Sequence, residues 1–214
     1  MQKARNFSSR ALLLAVLCLA AFWSSARVHA GDARLKEISS DPSALRSAQA
    51  AGRKASSFCV NCHGANGVSK LLDVPNLAGQ NPDYLLEQTR KFGEGKRRDP
   101  FMQGLIKALQ EEEKIQISLF YASQNPQPGT PDPVKVAQGK VVFLKYCHRC
   151  HGERARGDEL IPRLAGQHEE YIVVAVTRYR DRTGERQDPQ MSSAVAPLKN
   201  NEIKLVAAYL NSLP

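Results

Sequence analysis

The chain has 214 residues, a net charge of +9 and an apolar fraction of 42%. No cluster combines basic with aromatic side chains, so the sequence gives no indication of nucleic-acid binding. The positive charge instead favours an acidic protein partner or an anionic docking surface.

Residues 1–30 have the pattern of an export signal. Three basic side chains lie among the first ten residues, and an apolar run of 13 residues follows at 11–23. That run is shorter than the roughly 20 residues that span a bilayer comfortably. We expect cleavage near Ala30 and a periplasmic protein; an uncleaved membrane anchor is the alternative. Loss of the segment removes four basic residues and lowers the net charge from +9 to +5.

A pentapeptide Cys-x-x-Cys-His occurs twice, at residues 59–63 and 147–151. This is the attachment signature of c-type haem, in which both cysteine sulfurs bond to the porphyrin and the histidine binds the iron. We therefore predict two covalently bound haem c groups. Export agrees with this prediction, because c-type haem is attached outside the cytoplasm. The predicted attachment residues are Cys59, Cys62, Cys147 and Cys150, and the predicted iron ligands are His63 and His151.

Two other interpretations of the cysteine pairs remain. A zinc ribbon usually places its pairs about 15–20 residues apart, whereas Cys62 and Cys147 are 85 residues apart. A redox-active dithiol or disulfide needs no following histidine and seldom occurs twice.

The pentapeptide belongs to a repeat with a period of 87–89 residues. Three further segments recur in the same order: Pro-x-Leu-Ala-Gly-Gln at 75–80 and 162–167, Gly-x-Arg at 95–97 and 184–186, and Asp-Pro-x-Met at 99–102 and 188–191. The chain is therefore two copies of one unit.

Helical periodicity predominates, and no stretch alternates like a strand, so we predict an all-α fold. Three helices are expected in each copy, over 48–58, 84–92 and 112–123, then 136–146, 171–179 and 201–212, the last with Asn200 or Asn201 as N-cap. Four prolines within 124–133 predict an extended connector. The predicted organisation is a signal peptide (1–30), an N-terminal domain (31–124), a linker (125–133) and a C-terminal domain (134–214).

Met102 and Met191 are candidates for the second iron ligand. They follow their histidines by 39 and 40 residues, at matching places in the two copies. A thioether opposite a histidine raises the haem reduction potential and closes the iron to substrates. Ordinary core packing is the alternative for both methionines.

Other recurring residues have predicted supporting roles. The carbonyl of Pro75 or Pro162 could accept a hydrogen bond from the ligating imidazole, or the proline could simply reverse the chain. Arg97 and Arg186 could pair with haem propionates or be solvated loop charges.

Three more polar side chains have predicted positions in the fold. Tyr84 and Tyr171 are expected in the core rather than against a ligand. His168 is expected at the surface at the start of a helix, with ligation of the second iron as the alternative.

The order, spacing and duplication of these motifs resemble the di-haem cytochromes of the cytochrome c4 family, over residues 45–214. The resemblance implies two tandem class I cytochrome c domains related by a pseudo-twofold axis. It also implies a periplasmic carrier from a quinol-oxidising complex to a terminal oxidase. A charged loop at 153–158 departs from the family pattern.

Two other functions remain open. The protein could be the dedicated di-haem cytochrome subunit of a periplasmic dehydrogenase, of the sulfide- or alcohol-oxidising type. It could also be a di-haem peroxidase, although methionine at both sites argues against an enzyme. Peripheral association with the membrane is a further alternative for the mature protein.

Overall fold

The computed structural model describes residues 30–214, and the predicted signal peptide lies outside them except for Ala30. Every regular element in this range is a helix, which confirms the all-α prediction. The N-terminal half contains α1 (30–40), α2 (Pro42–Ala55), α3 (Val60–His63), α4 (Pro82–Gly93), α5 (Pro100–Ala108) and α6 (Glu111–Ala122). The C-terminal half contains α7 (Pro133–Tyr146), α8 (His148–His151), α9 (Glu169–Asp181), α10 (Pro189–Val195) and α11 (Asn200–Ser212).

The helices start where the sequence supplies a cap and a proline. Asp41, Asp99, Asp132 and Asp188 are N-caps whose side chains accept backbone hydrogen bonds, and a proline follows each of them. Carboxylates satisfy free amides at a helix start, and proline suits the first turn because it needs no hydrogen-bond acceptor there. The cap of α11 is Lys199 rather than Asn200 or Asn201, because the Glu202 side chain accepts from the Lys199 amide at 2.9 Å.

In each half the helix before the haem motif packs closely on the last helix. Gly52 of α2 lies against the backbone of Gln116 in α6, and a Cβ at Gly52 would be 2.0 Å from that carbonyl oxygen. Gly139 of α7 lies in the same way against Leu205 of α11, where the corresponding distance is 1.9 Å. Glycine is needed at both positions because the two helix backbones almost touch.

The N-terminal half carries one extra layer. Leu35 and Ile38 of α1 are buried with Leu86, Ile115 and Leu119, so α1 extends the core of this half. The corresponding core of the C-terminal half is a single cluster around Phe143, Ile203 and Val206. The sequence pattern did not predict α1, which begins in the segment next to the expected cleavage site.

Residues 124–132 of the predicted connector contain no helix, as its prolines predict, but its last residue, Pro133, is the first residue of α7. No helix among residues 30–214 is both long enough and apolar enough to cross a membrane.

The two halves meet through their Pro-x-Leu-Ala-Gly-Gln segments. Asn76 Nδ2 donates to the carbonyl of Gly166 at 2.9 Å. Gln80 and Gln167 each bond to the segment of the opposite half, Gln80 to Arg163 and Gln167 to Asn76. The crossed pattern relates the halves by an approximate twofold axis.

Candidate functional site

Each haem motif forms one short helical turn that ends at a glycine. Gly64 and Gly152 have φ of +79° and +74°, which an L side chain rarely adopts. A Cβ at Gly64 would also lie 2.1 Å from the carbonyl oxygen of Val68. The glycine therefore turns the chain sharply after the histidine, which directs the following loop back over the motif.

The four cysteines of residues 30–214 are not paired as disulfides. Burial raises the pKa of Cys59, and it raises the pKa of Cys147 to about 12. Neutral sulfur in an apolar setting suits a thioether bond better than thiolate ligation of a free metal ion. No group of three His, Cys, Asp or Glu side chains in this part of the chain converges as a metal site.

Both motif histidines are buried and held by a proline carbonyl. His63 Nδ1 lies 2.9 Å from the oxygen of Pro75, and His151 Nδ1 lies 3.0 Å from the oxygen of Pro162. These contacts confirm the predicted role of the two prolines. Because a carbonyl can only accept, Nδ1 carries the hydrogen and Nε2 keeps a free lone pair.

The electrostatic setting keeps these imidazoles neutral. Burial lowers the pKa of His63 and of His151, and the proline hydrogen bond acts in the opposite direction in each. A neutral imidazole with a free Nε2 is the form that binds iron.

The Asp-Pro-x-Met segments are helix starts. Asp99 caps α5 and accepts from the Met102 amide at 2.9 Å, and Asp188 caps α10 and accepts from the Met191 amide at the same distance. The cap therefore fixes the first turn from which each methionine projects. The Asp-Pro-x-Met pattern follows from this geometry, because aspartate fills the cap, proline the first helical position and methionine the third.

One cavity of about 670 Å³ brings all the predicted site residues together. It is lined by the side chains of both halves, and its lining includes Cys59, Cys62, His63, Met102, Cys147, Cys150, His151 and Met191. Sulfur and imidazole donors in a largely apolar cavity are the donors of a methionine- and histidine-ligated haem.

Two buried polar groups are suited to a partner of the kind that a haem would supply. Arg186 is only 7% exposed, and neither it nor Arg97 takes part in an ion pair within residues 30–214. A buried guanidinium without a carboxylate is costly, so an anion such as a propionate fits here. The hydroxyl of Tyr121 is also buried without a hydrogen-bond partner, and Tyr121 lines the cavity. The residues present therefore fit the haem group.

The two arginines meet at Tyr171. Arg97 Nη2 donates to the Tyr171 hydroxyl at 3.1 Å, and Arg186 donates to the same hydroxyl and, at 3.3 Å, to that of Tyr179. Burial acts to lower the pKa of Arg186, but the surrounding tyrosines outweigh it and the pKa is raised. The solvated-loop interpretation of Arg186 is therefore wrong. Tyr84 and Tyr171 line the cavity instead of filling a core remote from it, which corrects the prediction for both.

His168 is the N-cap of α9 and is only partly exposed. Its Nε2 lies 3.0 Å from the carbonyl oxygen of Ser69 in the other half. His168 is therefore an inter-half contact, which neither the surface interpretation nor the ligand interpretation had included.

The fold and this site define a c-type cytochrome with two tandem class I domains. The family model described as Cytochrome c matches residues 136–214. Cytochrome c4 of Pseudomonas aeruginosa is 34% identical over 176 residues, which cover 77% of this chain and 88% of that protein. The chain therefore belongs to the cytochrome c4 family.

Two further similarities bear on structure and partners. The crystal structure of reduced recombinant cytochrome c4 from Pseudomonas stutzeri superposes with a TM-score of 0.71 and 29% identity, covering 77% of this chain and 97% of that one. A thiosulfate dehydrogenase electron acceptor of Thiomonas intermedia is 30% identical over 174 residues, 73% of this chain and 78% of that protein.

Family membership settles the cofactor and the general activity. Cytochromes c4 are di-haem c proteins, so this chain carries two covalently bound haem c groups and transfers electrons between redox partners. Its cytochrome c4 homologues are periplasmic.

Proposed function

We propose that the protein is a periplasmic electron carrier whose halves each hold one haem closed on both faces. Cys59 and Cys62 attach the first haem, with His63 and Met102 as its iron ligands. Cys147 and Cys150 attach the second, with His151 and Met191 as ligands. The observation that carries this proposal is the single cavity lined by all eight side chains.

The protein's own residues orient the imidazoles that would bind the iron. A haem iron bound in this way exchanges one electron between its ferric and ferrous states. The Pro75 and Pro162 carbonyls fix the tautomer and the plane of each imidazole. Met102 and Met191 would complete each site with sulfur and leave no position for a substrate, and this arrangement supports an electron carrier rather than an enzyme.

We propose the domain limits expected from the sequence: a cleaved signal peptide at 1–30, domains at 31–124 and 134–214, and a linker at 125–133. The helix-free stretch between α6 and α7, residues 123–132, supports these limits to within one residue, since Pro133 begins α7. Sequencing the N-terminus of the periplasmic protein tests the cleavage site.

We assign the donor as a quinol-oxidising complex and the acceptor as a terminal oxidase. A second assignment is a dedicated acceptor for a periplasmic dehydrogenase. The relative named as a thiosulfate dehydrogenase electron acceptor favours this second assignment. Two mixtures distinguish these assignments by the haem absorption spectrum. Oxidation of the reduced protein by membranes supports the terminal oxidase as acceptor. Reduction of the oxidised protein by a periplasmic dehydrogenase fraction supports the second assignment.

The central test is an optical redox titration combined with a haem count. The expected result is two low-spin haems per chain with methionine-to-iron absorption in the oxidised state. Cys59→Ala with Cys62→Ala should leave one haem, attached in the C-terminal half, and the matching Cys147 and Cys150 double variant should leave the other. A high-spin resting spectrum, or peroxide turnover, would overturn the proposal.

A further inference from the structure

Gln167 holds one backbone residue of the opposite half with both ends of its side-chain amide. Its Oε1 accepts from the Asn76 amide at 2.8 Å, and its Nε2 donates to the Asn76 carbonyl at 2.9 Å. Gln80 holds Arg163 in the same way, at 2.7 Å and 2.8 Å. Both glutamines are buried, so water does not compete for these bonds.

The residues held in this way follow the prolines that support the iron ligands. The Asn76 amide belongs to the same peptide unit as the Pro75 carbonyl, and that carbonyl accepts from His63 Nδ1. In the C-terminal half, the Arg163 amide shares a peptide unit with the Pro162 carbonyl, which accepts from His151. Each glutamine therefore bonds to the opposite side of the peptide that holds the other half's histidine.

A peptide group transmits polarisation from one side to the other. An acceptor on the amide hydrogen increases the negative charge on the carbonyl oxygen, because hydrogen bonds in a chain strengthen one another. The stronger carbonyl draws the imidazole hydrogen more firmly and makes the imidazole a more basic ligand. A more basic ligand favours ferric over ferrous iron and so lowers the reduction potential.

We propose that Gln80 and Gln167 are positioning residues that set the reduction potential of the haem in the opposite half. Gln167 acts on the first haem through Asn76, Pro75 and His63. Gln80 acts on the second haem through Arg163, Pro162 and His151. This proposal rests on the iron ligands assigned under the proposed function.

The arrangement links redox tuning to the contact between the halves. Both glutamine contacts cross the interface, so separation of the halves breaks them together. The potentials of the two haems therefore depend on a closed interface. An amide side chain suits this task because it offers one donor and one acceptor at the spacing of a backbone residue.

The test compares Gln167→Leu with Gln80→Leu in the full haem-loaded protein. Both potentials are followed in one redox titration by NMR, through the separate methyl signals of the two iron-bound methionines. We expect Gln167→Leu to raise the potential of the first haem and Gln80→Leu to raise that of the second, with a smaller change at the other haem. Equal shifts at both haems, or a shift at the haem in the same half as the variant, would overturn the proposal.

Two further variants separate tuning from simple loosening. Gln167→Glu keeps the acceptor for the Asn76 amide, and its buried, protonated carboxyl can donate to the Asn76 carbonyl as the amide does, so the first haem's potential should stay close to that of the unaltered protein. Asn81→Ala removes other hydrogen bonds between the halves, those to the carbonyls of Asp158 and Ile161. It should leave the reduction potentials of both haems unchanged. A shift in Gln167→Glu as large as that in Gln167→Leu would contradict the proposal. Absence of bound-methionine signals in the unaltered protein would instead overturn the ligand assignment itself.

Discussion

Asn81 and His168 hold equivalent places in the two repeats, and each reaches across to a backbone carbonyl of the opposite half. Asn81 Nδ2 donates to Asp158 at 2.6 Å and to Ile161 at 2.8 Å. His168 Nε2 lies 3.0 Å from the carbonyl oxygen of Ser69. The duplicated position is therefore an interface contact in both copies, made by different side chains.

His168→Ala should weaken the contact between the halves without changing either haem. Loss of one partly buried hydrogen bond costs about 1 kcal/mol of unfolding free energy, measurable by denaturant titration. The haem absorption spectrum should stay the same, because the Nε2 contact is to a carbonyl. His168→Asn, which copies Asn81, is the matched control and should lose less stability. A spectral change confined to the second haem would support ligation by His168 instead.

Gly139→Ala should destabilise the protein, because its Cβ would lie 1.9 Å from the carbonyl oxygen of Leu205 and force α7 away from α11. Overpacking of this kind costs about 1–3 kcal/mol, and thermal unfolding measures it. Gly52→Ala should behave alike in the other half. Gly104→Ala is the control: it is an exposed helical glycine with no atom within 4 Å of its added Cβ. That change should stabilise α5 by about 0.5–1 kcal/mol, and equal losses in all three variants would contradict the packing explanation.

Met191→Ala should lower the reduction potential of the second haem and open its iron to carbon monoxide. The sulfur ligand favours the ferrous state, so its removal reverses that effect. The first haem, with Met102 unchanged, is the internal control within the same molecule. Redox titration with and without carbon monoxide makes the measurement. An unchanged spectrum after the substitution would show that Met191 is a packing residue.

Arg186→Gln should lower the reduction potential of the second haem, which is attached in the same half. Removal of a buried positive charge favours the ferric state. Arg154→Gln is the charge-matched control, since Arg154 is exposed and its charge is screened by solvent and salt. The expected order of effect is a clear fall for Arg186→Gln and a much smaller one for Arg154→Gln. Equal shifts, both abolished by added salt, would place Arg186 at the surface.

Much of the site could be predicted from the duplicated sequence pattern. Matching positions identified both histidines and both methionines as one set, and the structure places them in one cavity. The proline contacts were predicted because a ligating imidazole needs an acceptor and proline recurs at similar spacing. That the elements are helices was predictable from periodicity. The N-cap of α11 differed from the predicted Asn200 or Asn201, because the Glu202 side chain accepts a hydrogen bond from the Lys199 amide.

The contacts between the halves could not be predicted in this way. A repeat shows which residues are equivalent, but not which of them touch across the twofold axis. The crossed glutamines, Tyr171 between two arginines and the His168 contact all depend on that docking. The buried face of α1 was missed because Leu35 and Ile38 lie outside the duplicated unit.

Tyr121 and Leu210 occupy matching places. The backbone carbonyl of each accepts a hydrogen bond from the glycine amide of its own half's Pro-x-Leu-Ala-Gly-Gln segment. One site thus holds a buried hydroxyl where the other holds a methyl group. A perfectly duplicated molecule would store a single electron equally at either end. This difference would remove that degeneracy, because a hydroxyl near one haem and a methyl group near the other would give the two haems different reduction potentials.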